Sequence, residues 1–158
     1  MKNRGRMNIV IDEWMIHFIS PKESTPEKQK MVFEFLQKVF KKCDKFVTMR
    51  GGKLEKKIWW IAKESSNWRP EIRSVVKNFI NQFWLNSKKF WLLEENNLIP
   101  LSLEVRQKIP EDDLYLIKVA ISTKSCILTT DNRLKEKMAS QKELSIYLVD
   151  EFLKNYDC

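Results

Sequence analysis

Apolar residues in this chain follow two spacings that alternate along its length. Short runs of β-branched and aromatic residues predict buried strands, and apolar residues at helical spacing between those runs predict helices. The predicted strands span residues 7–11, 45–49, 90–93, 126–130 and 146–149. The predicted helices span residues 13–19, 25–42, 53–64, 70–85, 111–123, 133–139 and 151–156. Because strands and helices alternate, the pattern predicts an α/β fold: a three-layer α/β/α domain with a mostly parallel central sheet.

Turn-forming residues separate these elements. Thr25-Pro26 supplies a cap and a first-turn proline for the second helix, and Gly51-Gly52 ends the second strand. Residues 95–109 are the least regular stretch, and they contain proline at position 100 and precede another at 110. With no repeat, low-complexity segment or linker, we expect residues 1–158 to form a single domain.

Acidic residues follow the first and fourth predicted strands directly. Asp12 ends the run that begins at Asn8, Asp131 ends the run that begins at Cys126, and Asp112-Asp113 opens the helix before that second run. Open α/β sheets bring the carboxyl ends of their parallel strands to one edge, so these acids can meet in one cleft. Gathered carboxylates repel one another unless a cation lies between them. The pattern therefore predicts a metal site.

Each of these acids also has a purely structural explanation. Asp12 could cap the first helix, and Asp131 could cap the short helix that begins near Arg133. Asp112 and Asp113 lie where the helix dipole favours negative charge. For each acid taken alone, a role in capping or stabilising a helix start stays open. The metal interpretation depends on all of these acids lying together.

The net charge of +8 and a pI of about 9.4 favour a polyanionic partner over a neutral one. A solvated, lysine-rich surface is the alternative.

The sequence has three cysteines without C-x-x-C spacing, namely Cys43, Cys126 and Cys158. This small and odd number argues against a disulfide framework and against a zinc knuckle, and it fits the cytoplasm. Asp12 and Glu13 interrupt the first apolar run, so we expect neither a signal peptide nor a membrane span there.

Two segments resemble the PIN domain family. Residues 113–120 (DLYLIKVA) and 127–134 (ILTTDNRL) look like its C-terminal half, in which an acid opens a helix and a strand ends in Thr and an acid. Asn8 to Asp12 looks like the family's first strand and first acid, and Glu55 lies where the remaining acid is expected. The resemblance covers nearly the whole chain. Glu13 and Trp14 depart from it, because the family places a small hydroxyl residue and Asn after its first acid.

The resemblance implies a ribonuclease that cleaves RNA internally with Mg²⁺ or Mn²⁺. It assigns the catalytic and metal-binding roles to Asp12, Glu55, Asp113 and Asp131, with Asp112 as an alternative to Asp113. A basic rim beside such a site would hold the flanking phosphates of RNA, and Trp68 is the best candidate for stacking on a base. The predicted RNA-binding residues are Arg50, Lys53, Lys56, Lys57, Trp68, Arg69 and Arg73.

Several functions remain open at this stage. The family includes toxins, which pair with an antitoxin, and RNA-processing nucleases. Exposed aromatic residues of the second and fourth helices could form a homodimer. The departure at Glu13 and Trp14 keeps a degenerate PIN-like domain in view, one that binds RNA or protein without cleavage. A phosphoacceptor receiver domain would explain Asp12-Glu13 but not the helix from Asp113 to Ala120.

Overall fold

The computed structural model describes residues 6–156, and these form an α/β/α arrangement around one parallel sheet. The five strands have the order β3-β2-β1-β4-β5, and every neighbouring pair is parallel. They are β1 (Asn8–Val10), β2 (Lys45–Met49), β3 (Phe90–Leu93), β4 (Cys126–Thr129) and β5 (Ile146–Leu148). The predicted α/β class is confirmed, and the described sheet is parallel throughout.

Within residues 6–156, eight α-helices connect and cover these strands. They are α1 (Trp14–Ile19), α2 (Pro26–Lys41), α3 (Lys53–Glu64), α4 (Pro70–Phe79), α5 (Leu103–Lys108), α6 (Leu114–Thr123), α7 (Asn132–Lys137) and α8 (Val149–Asn155). Helix α5 lies in the stretch for which no element was predicted. Helix α4 does not run regularly to Leu85, because residues Ile80–Trp84 widen into a π-helical turn.

Alternate residues of the strands face two separate cores. Ile9, Phe46 and Leu128 contact one core, which α1, α2, α3, α4 and α8 cover. Val10 and Ile127 contact the other core, which α5, α6 and α7 cover. Central strands that are apolar on both faces are expected when helices cover both faces of a parallel sheet.

Local sequence explains several helix boundaries. The Thr25 hydroxyl accepts a hydrogen bond from the Lys28 amide at 3.2 Å, and Pro26 occupies the first helical position of α2. Gly51 has a φ of 77°, which a residue without a side chain adopts at little cost, and α3 begins two residues later. This turn places the start of α3 at the carboxyl edge of the sheet.

A buried carboxylate ties the start of β1 to the end of the chain. Asp44 is 7% exposed and accepts hydrogen bonds from the Met7 amide at 2.8 Å and the Tyr156 hydroxyl at 2.6 Å. Lys89 donates from Nζ to the carbonyl oxygens of Val39 at 2.7 Å and of Lys42, and burial lowers its pKa. These contacts lie at the amino edge of the sheet, opposite the acids.

Candidate metal and nucleic-acid site

The carboxyl edge of the sheet positions Asp12 and Asp131. Strands β1 and β4 are parallel neighbours, and each acid lies two residues beyond the end of its strand. Helix α6 packs against both strands, and its N-cap is Asp113. Three acids that are far apart in sequence therefore reach the same edge.

Burial and the charges of neighbouring acids shift the pKa of Asp113. Its pKa is raised, first by burial and then by the charge of Asp12, with smaller contributions from Asp131 and Asp112. Lys53, at the start of α3, acts in the opposite direction. The like charges make this edge a place where a cation would relieve repulsion.

Tyr115 is a member of this site that the sequence did not reveal. Its ring is 9% exposed, and its hydroxyl donates a hydrogen bond to Oδ1 of Asp12 at 2.6 Å. Burial, followed by the charge of Asp12, raises the pKa of the phenol, so that it stays a neutral donor. The available signal was one polar-tipped residue within the apolar run from Leu114 to Ile117.

The capping interpretation has a different outcome at each acid. Asp131 caps α7, because its Oδ1 accepts from the amides of Arg133 at 2.9 Å and Leu134 at 3.3 Å. The N-cap of α1 is Glu13, so the capping interpretation is wrong for Asp12. Asp113 occupies the N-cap position of α6 without a side-chain capping bond.

The residues around Asp131 set its backbone. Thr129 is buried, and its Oγ1 accepts a hydrogen bond from the Asp131 amide at 3.0 Å. Asn132 points elsewhere, since its amide donates to Glu136 at 2.9 Å. Thr129 is thus the residue that fixes the turn from β4 into α7.

Asp112 and Lys53 form an exposed pair at the rim. Their Oδ2 and Nζ atoms are 3.7 Å apart, with 81% and 42% of the respective side chains exposed. An exposed pair of this kind contributes little stability, which leaves Lys53 able to contact a phosphate.

Trp14 lies two residues after the first acid in sequence, and its side chain is buried. Its indole N–H donates to the carbonyl oxygen of Leu128 at 2.8 Å, and only 5% of the residue is exposed. It packs edge-on against Phe18 in the first core. The residue that departs from the PIN pattern is therefore a core residue that joins α1 to β4.

Glu55 contacts the turn that precedes α3. Its carboxylate accepts a hydrogen bond from the Gly51 amide, and it lines a hollow beside β2 and β3. The charges that act on Asp113 come from Asp12, Lys53, Asp131 and Asp112. In this structure Glu55 supports the turn before α3.

Within residues 6–156, no three His, Cys, Asp or Glu side chains are gathered closely enough to hold a metal ion. One oxygen of each strand-end acid already has a partner: Oδ1 of Asp12 accepts from Tyr115, and Oδ1 of Asp131 caps α7. The chemistry of the three acids nonetheless suits Mg²⁺ or Mn²⁺, which take carboxylate oxygens.

The predicted RNA-binding residues lie at several places in the structure. Lys53 adjoins Asp113, and Arg50 pairs with Glu94 at 2.8 Å at the end of β3. On α3, Lys56 is exposed, and Lys57 lies over the Trp60 ring at 5.5 Å. In the turn after α3, Trp68 is partly buried against the first core, and Arg69 is exposed. On α4, Arg73 lines a separate depression.

The structure also locates the single histidine of the sequence and two of its three cysteines. His17 contacts Glu23 and lies 3.8 Å from Glu13. Cys43 is exposed, Cys126 is buried with its sulfur 3.7 Å from the Asn8 carbonyl oxygen, and Cys158 lies outside the described residues. None of the helices in the described part of the chain is long and apolar enough to cross a bilayer.

Comparison with solved structures gives a distant likeness. The crystal structure of VapBC2 from Rickettsia felis, bound to a DNA fragment from their promoter, matches with a TM-score of 0.46 and 10% identity. The match covers 90% of this chain and 98% of that one. The likeness concerns the course of the backbone and carries no functional argument. No protein-family model and no curated protein sequence matches the chain.

Proposed function

We propose that this protein is a Mg²⁺- or Mn²⁺-dependent endoribonuclease with Asp12, Asp113 and Asp131 as its metal ligands. The observation that carries the proposal is the placement of Asp12, Asp131 and Asp113 at one edge of the sheet. Burial and then the charge of Asp12 raise the pKa of Asp113, in accord with that placement. A cation bound there would replace repulsion between carboxylates with attraction. The resemblance of residues 113–134 to PIN domains supports the same assignment.

The protein's own residues would prepare this site in separate ways. Tyr115 fixes Oδ1 of Asp12, which leaves Oδ2 to face a cation, and Thr129 fixes the backbone of Asp131. Lys53 supplies a positive charge at the rim for the phosphate beside the one that is cleaved. A bound divalent ion would lower the pKa of a water molecule and neutralise charge on the phosphate.

A cleavage assay tests the proposal. A dye-labelled single-stranded RNA is incubated with the protein and Mn²⁺, with Mg²⁺, or with a chelator. We expect cleavage only with metal, and we expect Asp12→Asn to abolish it while the circular dichroism spectrum is unchanged. Glu34→Gln, at an exposed acid on α2, is the matched control and should keep full activity. Equal cleavage by Asp12→Asn would remove this residue from the mechanism.

Glu55 remains a predicted ligand with a separate test. Its contact with Gly51 predicts that Glu55→Gln, which keeps an acceptor oxygen for that amide, preserves folding. If Glu55 binds the metal when RNA is present, the same variant will lose cleavage. If it only supports the turn, cleavage will be unchanged.

A second candidate function is RNA or protein binding without cleavage. Two observations favour it: the carboxylates are not gathered into a metal-binding group among residues 6–156, and Trp14, two residues after Asp12, is a buried core residue rather than a small polar one. Under this alternative, wild-type protein binds labelled RNA or a protein partner but leaves RNA intact at every Mn²⁺ concentration.

The partners and setting follow from the proposed activity. A toxin role would require an antitoxin-like partner, and an RNA-processing role would require none; co-purification with the product of an adjacent small gene separates them. Phe40 on α2 is 42% exposed beside a groove lined by Phe79, and a homodimer would bury it. Sedimentation of wild type and Phe40→Ser tests that arrangement. Either role is compatible with the cytoplasm.

A further inference from the structure

A second polar and aromatic site lies beside the outer strand of the sheet. A hollow of about 590 Å³ includes residues from both faces of β3, such as Phe90 and Trp91, together with Trp59 from α3. Lys45 and Arg50, at the two ends of β2, also line it. Strand β3 has only one neighbour in the sheet, so the hollow is open along that edge.

Trp59 is held in a fixed orientation while much of its ring meets solvent. The residue is 52% exposed, and its ring contacts that of Trp84 edge-on, with centroids 6.2 Å apart and planes at 90°. Trp84 is 6% exposed and packs against Phe90 at 5.0 Å. A buried aromatic pair therefore anchors an exposed indole, which is the arrangement of a rigid stacking platform.

Trp91 combines an exposed ring with a cation. It is 38% exposed, and the Nζ atom of Lys45 lies 4.9 Å from its ring centroid. This cation–π contact orders the ring and keeps a positive charge at the surface. Arg50 is paired with Glu94, but about half of each side chain or more is exposed, so a phosphate can compete for the guanidinium.

One end of the hollow, at Arg50, lies at the carboxyl edge of the sheet, where the acids also lie. Lys45 begins β2 and Arg50 follows its end, so the rise of a strand places their backbones about 16 Å apart. Arg50 leaves β2 at the same edge where Asp12 leaves the neighbouring β1. A chain that lies along the hollow is thus led toward Asp12.

We propose that this hollow binds unpaired bases of single-stranded RNA, which stack on Trp59 and Trp91 while Lys45 and Arg50 contact the phosphates. The choice of RNA depends on the proposed function. Partly exposed indole rings with cations at both ends of the hollow suit a polyanion with planar bases, and the net charge of +8 favours the same partner. A protein strand paired with the open edge of β3 would use neither the cations nor the indole faces.

Binding of a fluorescein-labelled oligouridylate, measured by anisotropy in the presence of a chelator, tests the hollow without cleavage. We expect Trp59→Leu and Trp91→Leu each to weaken binding about tenfold. Trp60→Leu is the matched control, because Trp60 adjoins Trp59 on α3, is 38% exposed and lies under Lys57, yet does not line the hollow. Lys45→Gln should also reduce the slope of log affinity against log salt by about 0.7.

The outcomes separate this proposal from the proposed nuclease. Loss of binding in both hollow variants with no cleavage by wild type would support the hollow and reject the catalytic assignment. Wild-type cleavage with equal oligouridylate affinity in Trp59→Leu, Trp91→Leu and Trp60→Leu would reject the hollow and leave the catalytic site. If the hollow binds a protein instead of RNA, the Trp59→Leu and Trp91→Leu variants will keep the RNA affinity of the wild type. That result would therefore overturn the proposal.

Discussion

Replacement of Tyr115 by Phe removes one atom from the candidate site and should lower the stability of the protein. The lost hydroxyl donates to Asp12 across 2.6 Å from a ring that is 9% exposed. A hydrogen bond to a charged group contributes about 1.5–3 kcal/mol, and Asp12 is only partly buried, so that water can replace part of the bond. We therefore expect the free energy of unfolding to fall by about 1–2 kcal/mol.

Urea unfolding at neutral pH measures this loss, and the denaturant slope should stay at the wild-type value because little surface changes. In a domain of this length the loss corresponds to a melting temperature lower by about 2–8 °C. Tyr147→Phe is the matched control: Tyr147 is 41% exposed, and the change should stay within about 0.5 kcal/mol.

A double-mutant cycle identifies the partner of the hydroxyl. Tyr115→Phe and Asp12→Ala should be coupled by about 1 kcal/mol or more, whereas Tyr115→Phe and Glu34→Ala should be additive within about 0.5 kcal/mol. If Tyr115→Phe is as stable as wild type, or if its effect is unchanged when Asp12 is already absent, the hydrogen bond does not operate as described.

Three further changes test the site and the fold by chemical unfolding. Asp113→Asn should stabilise the metal-free protein by up to about 1 kcal/mol near pH 7 and by little near pH 4. The reason is that the pKa of Asp113 is raised in the folded protein, so the wild type loses stability as the pH rises above the ordinary carboxyl range. An equal effect at both pH values would contradict this. Asp44→Ala should lower the free energy of unfolding by about 2–4 kcal/mol, since the Met7 amide and the Tyr156 hydroxyl lose the carboxylate that accepts their hydrogen bonds. A loss below about 1 kcal/mol would show that these hydrogen bonds contribute little. Thr48→Val should stabilise by about 1 kcal/mol, because Oγ1 of Thr48 is buried without a hydrogen-bond partner among residues 6–156, and destabilisation would reveal a bond at that oxygen.

The sheet and most helices could be predicted because their signals are local. Each strand is a short apolar run between turn residues, and the cap at Thr25 marks the start of α2 directly. Helix α5 could not be predicted, since its six residues lie among breakers and only Val105 is buried. The π-helical turn after Phe79 has no sequence signal of its own either. It accompanies the packing of Phe83 and Trp84 into the first core, which involves residues that are distant in sequence.

The candidate site was only partly accessible from sequence. Strand ends revealed Asp12 and Asp131, since position along a parallel strand fixes the edge where a residue emerges. Tyr115 was missed because its bond to Asp12 spans 103 residues. The side-chain direction of Glu55 was also inaccessible, because its position at the start of α3 does not decide between Gly51 and the other acids.

Titration of Mn²⁺ into the metal-free protein, followed by calorimetry, tests the central claim most directly. The account predicts saturable binding in wild type and in Glu34→Gln, and binding at least about tenfold weaker in Asp12→Asn and Asp131→Asn. The absence of binding in wild type, or equal binding in all four proteins, would contradict the claim that these acids form a divalent-cation site.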